Sequence, residues 1–409
     1  MPGWILVTVR GVMGASLLAY LFYAGLSVWS ARKWYFDRTA APPDWTPAVS
    51  ILKPVRGVDA EAWENFRSFC LQDYPIGQMQ ILFGALDPDD PALDLARRLQ
   101  TEFPQHDIDI VVGSPDAARG NNRKVCNLLS MQPHAKHDLL VLCDSDMRVH
   151  PDYLRRIVAP FAATKCTAQS KIQTPKSKAE PIQNQVGLVT CPYRGASILS
   201  FAAAIEALSI GADFVPSTLV SRAMEGISFA LGSTIVIPKL VLAKIGGFEP
   251  LLDELADDFR IGNRVHKAGY EVVMSDYVID DILGRERFSA MWSRRLRWSR
   301  TLRVCRPIGY SGVFLTYGFA LALGFLGVMG FSPIAWAAFG VVTAVRLMTA
   351  LTITLRYTGD RSVLRFLPLL PIGDLIGIAL FVCSYFGSHI HWRGERFRLL
   401  PGGRLLRED

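Results

Sequence analysis

Asp138-Leu-Leu-Val-Leu-Cys-Asp-Ser-Asp146 is a short apolar run that ends on two carboxylates one residue apart. A run of this length with polar flanks predicts a strand buried on both faces. Three earlier runs have the same character: Ala48-Val-Ser-Ile-Leu-Lys53, Met79-Gln-Ile-Leu-Phe-Gly-Ala85 and Ile108-Asp-Ile-Val-Val112. The stretches between them, about 60–71, 91–103 and 122–132, are amphipathic at helical period. Alternation of this kind predicts an α/β domain with a doubly wound, mainly parallel sheet. Such sheets bind ligands at the carboxyl ends of their strands.

Those ends carry acids. The second run leads into Asp87-Pro-Asp-Asp90 and the fourth into Asp144-Ser-Asp146. Two carboxylates leaving a buried strand together suit one hard cation that also holds a diphosphate. Asp, Ser and Pro also make ordinary turns, and a D-x-D taken alone fits that reading. The first strand is not followed by G-x-G-x-x-G, and the chain has no G-x-x-x-x-G-K-[ST], so a nucleotide here would be held by acids and a metal. A third cluster, Asp253-Glu-Leu-Ala-Asp-Asp258, precedes a helical pattern. That puts Asp257 and Asp258 at a helix N-terminus, where the dipole stabilises a carboxylate and a general base could stand. Downstream, Arg294-x-x-Arg297-Trp298 lies in a basic, aromatic stretch suited to a membrane headgroup plane or to a departing diphosphate.

Of 409 residues, 50% are hydrophobic and 20% charged, with a mean hydropathy of +0.23, which excludes a disordered tail and an ordinary soluble enzyme. The seven cysteines are scattered, with no C-x-x-C pair, so a disulfide framework and a zinc ribbon are disfavoured. Gly11 to Ser30 has no charge, and twenty residues span ~30 Å as a helix. This predicts a retained anchor rather than a signal peptide. Arg32, Lys33 and Arg38 follow it and put the next domain in the cytoplasm. Pro307 to Val345 is also uncharged and predicts a hairpin of two spans, about 309–331 and 334–355. Pro368, Pro371 and Asp374 interrupt 363–390, which predicts a broken or re-entrant segment that keeps the basic C-terminal stretch cytoplasmic. Arg346 and Asp374, in apolar surroundings, are expected to pair, or else to mark a lipid pathway. The expected organisation is an anchor (1–31), a cytoplasmic catalytic domain (32–284), a basic interfacial helix (285–306), a membrane region (307–391) and a basic tail (392–409).

In this order, Ser50-Ile-Leu-Lys-Pro-Val-Arg56, Leu86-Asp-Pro-Asp-Asp-Pro91, Asn122-Arg-Lys-Val-Cys-Asn127, Cys143-Asp-Ser-Asp146, Ala256-Asp-Asp258, Arg294-Arg-Leu-Arg-Trp298 and Trp392-Arg-Gly-Glu-Arg-Phe-Arg398 cover nearly the whole chain. The sequence resembles the processive and lipid-acceptor glycosyltransferases of the GT-A fold with a D, D, D, (Q/R)xxRW signature, and within them the ceramide glucosyltransferase family. The resemblance implies an inverting, UDP-sugar-dependent hexosyltransferase that needs Mg²⁺ or Mn²⁺. Asp87 would contact the uracil, and Asp144 and Asp146 the ribose and the diphosphate-bound metal. Lys53, Pro54 and Lys124 would lie near the nucleotide. Asp258 would be the base, while Arg294, Arg297 and Trp298 would shape the diphosphate and acceptor end.

The spellings 188–195, 122–127 and 144–149 look closer to the bacterial branch associated with hopanoid biosynthesis, which implies transfer of N-acetylglucosamine to bacteriohopanetetrol at the bacterial inner membrane. Ceramide is the alternative acceptor. Nucleic acid drops out as a partner, and no oligomeric state follows from the sequence. Two features depart from the family pattern: a polar, Lys-rich stretch from Ala163 to Gln185, and no histidine near Gly211-Ala-Asp213-Phe. A polysaccharide synthase would need more spans to build a channel, and an inactive scaffold would have no reason to keep all three acidic clusters.

Overall fold

A computed structural model describes residues 2–37, 45–113, 119–162 and 185–408. The expected strands form at Val49–Pro54 (β1), Met79–Ala85 (β2), Asp107–Val112 (β3) and Leu139–Leu142 (β4). They are followed by Met147–Arg148 (β5), Val186–Thr190 (β6), Tyr193–Ile198 (β7), Ile235–Pro238 (β8), Glu271–Met274 (β9) and Ile279–Gly284 (β10). A seven-stranded sheet runs β3-β2-β1-β4-β8-β6-β9. Its first four strands are parallel, while β8 runs antiparallel to β4 and β6.

Val49 pairs with both Met79 and Leu139, so β1, β2 and β4 end side by side and deliver their following loops to one edge. All three strands are fully buried. Alternate residues feed two cores. Ile51, Ile81 and Val141 meet Phe66, Leu93 and Leu99 from helices 62–70 and 92–102, whereas Leu52, Leu82 and Leu140 meet Val125, Leu128 and Met131 from helix 123–131. A second sheet, β5-β10-β7, sets Asp281 opposite Met147, and Ile282 N–H donates to the Asp146 carbonyl at 3.0 Å. A carboxylate from late in the chain therefore stands beside the D-x-D.

The expected basic tail is not a tail. His389–Trp392 (β11), Glu395–Leu399 (β12) and Leu405–Glu408 (β13) form an antiparallel meander. Its period-2 alternation puts Ile390, Phe397, Leu399 and Leu405 on one buried face with Leu255, leaving the arginines outside. Leu405 N–H donates to Asp253 O at 2.6 Å and Leu255 N–H to Gly403 O at 3.0 Å, which joins the meander to the loop before Asp258.

Among the described residues, four helical stretches are long and apolar enough to cross a membrane: Gly3–Phe36, Phe201–Glu225, Pro333–Thr358 and Val363–Ser384. The second is largely buried within the protein, and its apolar composition serves internal packing. The first half of the expected hairpin is broken into Pro307–Ser311, Val313–Thr316 and Gly318–Val328. The last of these covers about 16 Å, too short to span the hydrocarbon. Val363–Ser384 is helical along its length but divided into Val363–Phe366, a 3₁₀ turn Leu367–Leu369 and Leu370–Ser384, with Pro368 and Pro371 each in the first turn of its piece, where a missing N–H costs nothing. Arg346 does pair with Asp374, Nη2 to Oδ1 at 2.7 Å, and also meets Asp213 at 2.5 Å and the Ala212 carbonyl at 2.8 Å. The remaining Asp374 oxygen accepts from Phe319 N–H at 2.9 Å. Of the Lys-rich stretch Ala163–Gln185, residues 163–184 lie outside the described residues.

Candidate active site

One cavity of about 1570 Å³ runs from the ends of β1, β2 and β4 to the broken segment 307–317. Asp87, Lys124, Asp144, Asp146, Asp258, Arg294, Arg297 and Trp298 all line it, as does Pro54. Lys53 does not. Its side chain is turned into the core beneath β4, with Nζ 2.6 Å from the Asp144 carbonyl and 4.1 Å from the Phe69 ring centroid. Burial pushes its amine below the usual lysine range. Lys53 therefore holds the D-x-D backbone from behind and does not face the cavity, because residue 53 follows the buried alternation of β1.

At the outer end, exposed Asp87 follows β2, and its Oδ1 accepts from Asp89 N–H at 3.0 Å in a local turn. Asp90 is structural: it accepts from Gly57 N–H at 2.8 Å and Ala92 N–H at 2.9 Å. Asp144 Oδ1 meets Lys124 Nζ at 2.6 Å, and Asp257 Oδ2 stands 3.6 Å from the same ammonium. Burial works against the Lys124 charge, but Asp144 and Asp257 outweigh it and hold the amine above its ordinary range. Burial and then the Asp144 and Asp59 charges push Asp146 up to about 6. Its Oδ1 is buried without a hydrogen-bond partner.

That orphaned oxygen fits a divalent cation. Among the described residues no cluster of three metal-ligating side chains occurs, so a cation at Asp146 would draw most of its ligands from outside the protein, as Mg²⁺ held by one or two carboxylates does. Asp146→Ala is expected to abolish the Mg²⁺ or Mn²⁺ dependence of UDP affinity and weaken binding at least tenfold, read by calorimetric titration with and without EDTA.

Asp258 lies in the first turn of helix Asp257–Lys267. Its Oδ2 accepts from Gly232 N–H at 2.9 Å and its Oδ1 from Phe259 N–H at 2.7 Å, so both oxygens are aimed by backbone. Burial, then Asp257, push its carboxyl up to about 6 against the opposing charge of Lys124. Gly232 separates this carboxylate from the D-x-D: a Cβ there would lie 3.2 Å from both Asp144 Oδ2 and Asp258 Oδ2. Any side chain at 232 would occupy the space between the two acids.

The two arginines of R-x-x-R-W differ. Arg294 is held bidentate by Glu286 at 2.5 and 2.6 Å and lies over Trp298. Arg297 has no carboxylate within ion-pair distance among the described residues; its guanidinium sits 5.3 Å from the Trp392 ring centroid. Burial, then Arg294 and Arg393, push it down to about 10, still charged at neutral pH. A half-buried cation with no carboxylate partner among the described residues is the better partner for an incoming diphosphate.

Arg393, Asp59, Gly232 and Asp281 line the same cavity or its edge and were not singled out by the sequence reading. Arg393 (φ 50°) and Gly394 (φ 83°) are the two central residues of the β11–β12 hairpin, both in the left-handed region that a two-residue type I′ turn needs. Arg393 Nη1 reaches Asp59 Oδ1 at 3.0 Å, and Asp59 Oδ2 accepts from Ser145, the middle residue of the D-x-D. Arg-Gly between two alternating runs was the available signal. Arg393→Ala is expected to weaken UDP-sugar binding about tenfold, read by calorimetric titration. Asp281 is held well above the usual carboxylate range by burial and then by Asp146.

A ceramide glucosyltransferase of Candida albicans is 32% identical over 118 residues, 27% of this chain and 22% of that protein. Ceramide glucosyltransferase 1 of Caenorhabditis elegans is 23% identical over 421 residues, 99% of this chain and 82% of that protein. Among solved structures, the mannosyltransferase PcManGT from Pyrobaculum calidifontis superposes with a TM-score of 0.49 at 16% identity, covering 92% of this chain and 99% of that one. The family described as Glycosyl transferase family 21 matches residues 12–179 and 168–405, nearly end to end and across every acidic cluster. The chain is a glycosyltransferase with an α/β catalytic domain, and it belongs to glycosyl transferase family 21.

Proposed function

We propose that the chain transfers a single sugar from a UDP-sugar to the hydroxyl of a membrane lipid with inversion, specifically N-acetylglucosamine from its UDP donor to bacteriohopanetetrol at the cytoplasmic face of a bacterial inner membrane. The carrying observation is the single cavity, acidic at the strand ends and lined at its other end by Tyr310, Val313 and Tyr317, beside stretches apolar enough to cross a membrane. An acceptor with its tail among those helices would present its headgroup to Asp258. The spelling of 188–195 supports the hopanoid acceptor. The names of the relatives favour ceramide with UDP-glucose as the second reading.

In the reaction, Asp258 takes the proton of the attacking hydroxyl while that oxygen bonds to the anomeric carbon. The bond from that carbon to the diphosphate breaks, and UDP leaves with the electron pair. Arg297 faces the growing phosphate charge, and Arg393 stands beside it. A divalent cation held by Asp146 and Asp144 would supply Lewis-acid stabilisation of the same charge. Lys124, 2.6 Å from Asp144 Oδ1, orients that carboxylate. UDP release is the test, using purified protein with Mn²⁺, UDP-N-acetylglucosamine and bacteriohopanetetrol, set against UDP-glucose and ceramide. Release in the first pair supports the hopanoid reading, release in the second supports ceramide, and none with any UDP-sugar and lipid alcohol refutes lipid glycosylation.

A further inference from the structure

The proposed reaction uses one hydroxyl and one carboxylate, yet the inner half of the cavity holds charged groups with no task in it. Glu206, in helix Phe201–Ser209, is 1% exposed and lines the cavity, and neither of its carboxylate oxygens accepts a hydrogen bond. Its nearest cations are Arg294 Nη2 at 3.4 Å and Arg295 Nε at 4.0 Å. Arg294 is already committed to Glu286 by two shorter contacts. Arg295, 7% exposed, donates from Nη2 to Ser209 Oγ at 2.7 Å, while its Nη1 is buried with no partner.

An open acceptor and an open donor, both buried and both on the same cavity, match one kind of group. A hydroxyl can donate to the carboxylate and accept from the guanidinium at once. An apolar tail would leave both unsatisfied, each costing as much as a lost hydrogen bond. A bare anion would be repelled by Glu206, and an ammonium by Arg295.

We propose that Glu206 and Arg295 form a hydroxyl-reading subsite that takes a second alcohol of a polyhydroxylated lipid headgroup, distinct from the alcohol that Asp258 deprotonates. This rests on the lipid-acceptor reading and names its substrate class: the acceptor carries at least two hydroxyls near its polar end. Bacteriohopanetetrol and the sphingoid head of ceramide both offer that chemistry. A site built to hydrogen-bond a substrate hydroxyl rejects the analogue lacking it, because its own polar groups are then left unpaired.

The test compares hexadecane-1,2-diol with hexadecan-1-ol as acceptors for wild type and Glu206→Gln, with bacteriohopanetetrol and ceramide as arms that separate the two lipid sources. Wild type is expected to prefer the diol about 100-fold in kcat/KM. Glu206→Gln should reduce that preference to about threefold while UDP affinity stays within about twofold, and the natural lipid that loses most in the variant is the one read by the subsite. An unchanged preference in a variant that still binds UDP would overturn the proposal. If Glu206→Gln loses UDP affinity through misfolding, Arg295→Lys carries the same comparison, with the same two outcomes. If wild type glycosylates none of the four acceptors, the transfer reading fails, and saturation-transfer NMR decides the subsite by itself. Diol signal on wild type but not on the variant upholds it, whereas equal or absent signal on both overturns it.

Discussion

Asp258→Asn should lower kcat by roughly 10²–10⁴-fold, the range expected for losing a general base, while UDP binding with Mn²⁺ stays within about twofold of wild type. Asparagine keeps the size of the side chain, and its one carbonyl oxygen can still accept from either Phe259 N–H or Gly232 N–H, so one of the two backbone contacts is kept while the amide NH₂ faces the other. What disappears is the proton acceptor. Because the carboxyl titrates at about 6, it must be ionised to work, and kcat/KM of the wild type should fall as pH drops through about 6. Asp146, also at about 6, should show its loss in donor KM over the same range. The variant's residual rate should lack the Asp258 limb. Full activity in Asp258→Asn, or an unchanged acid limb, would remove Asp258 as the base. The same two groups affect stability in the opposite direction. Their folded pKa lies above the ordinary 3.8, so the stabilisation they give is present below about pH 4 and lost as pH rises through 6. Adding Mn²⁺ and UDP at neutral pH should therefore raise the melting temperature more than at pH 5.

The second large effect is on folding. Arg346→Met is expected to destabilise the protein by roughly 3–5 kcal/mol, since it strips the counterion from the fully buried Asp374 and from the partly buried Asp213. Methionine fills much of the volume, so the loss reports charge rather than a cavity. The triple variant Arg346→Met, Asp213→Asn, Asp374→Asn should recover most of that loss, because a neutral replacement for a whole buried ion cluster is often tolerated. Thermal unfolding in detergent measures both. A single variant as stable as wild type would show that the cluster contributes nothing to stability. The cluster fastens the turn Ile210–Phe214, which borders the cavity, to helices 333–351 and 370–384. Its loss should also raise acceptor KM.

The sheet and the acids at its ends were legible because period and position coincide: Asp138 to Asp146 is too short and too apolar to be anything but a central strand, and its carboxylates must emerge where such sheets bind ligands. Asp258 was legible as a helix start. Lys53 misled because a lysine beside a strand end reads as exposed, whereas here the Asp144 carbonyl and the Phe69 ring let it be buried. Residues 392–409 misled in the other direction, since arginine density hid the alternation of Ile390, Phe397, Leu399 and Leu405. Arg294 and Arg297 share one motif and one helix, but only tertiary contacts decide which of them Glu286 neutralises. Glu206 had no local signal at all: it sits in an apolar helix, and its importance depends on what the fold leaves unpaired around it.

The cavity also bears on how turnover should be measured. If the acceptor is a membrane lipid, the cavity's two ends would draw on different phases, water for the donor and the lipid layer for the acceptor. The acceptor should then obey surface dilution kinetics: at fixed total lipid alcohol, adding inert phospholipid should slow the reaction, whereas adding buffer should leave it unchanged. Donor saturation should respond in the reverse sense.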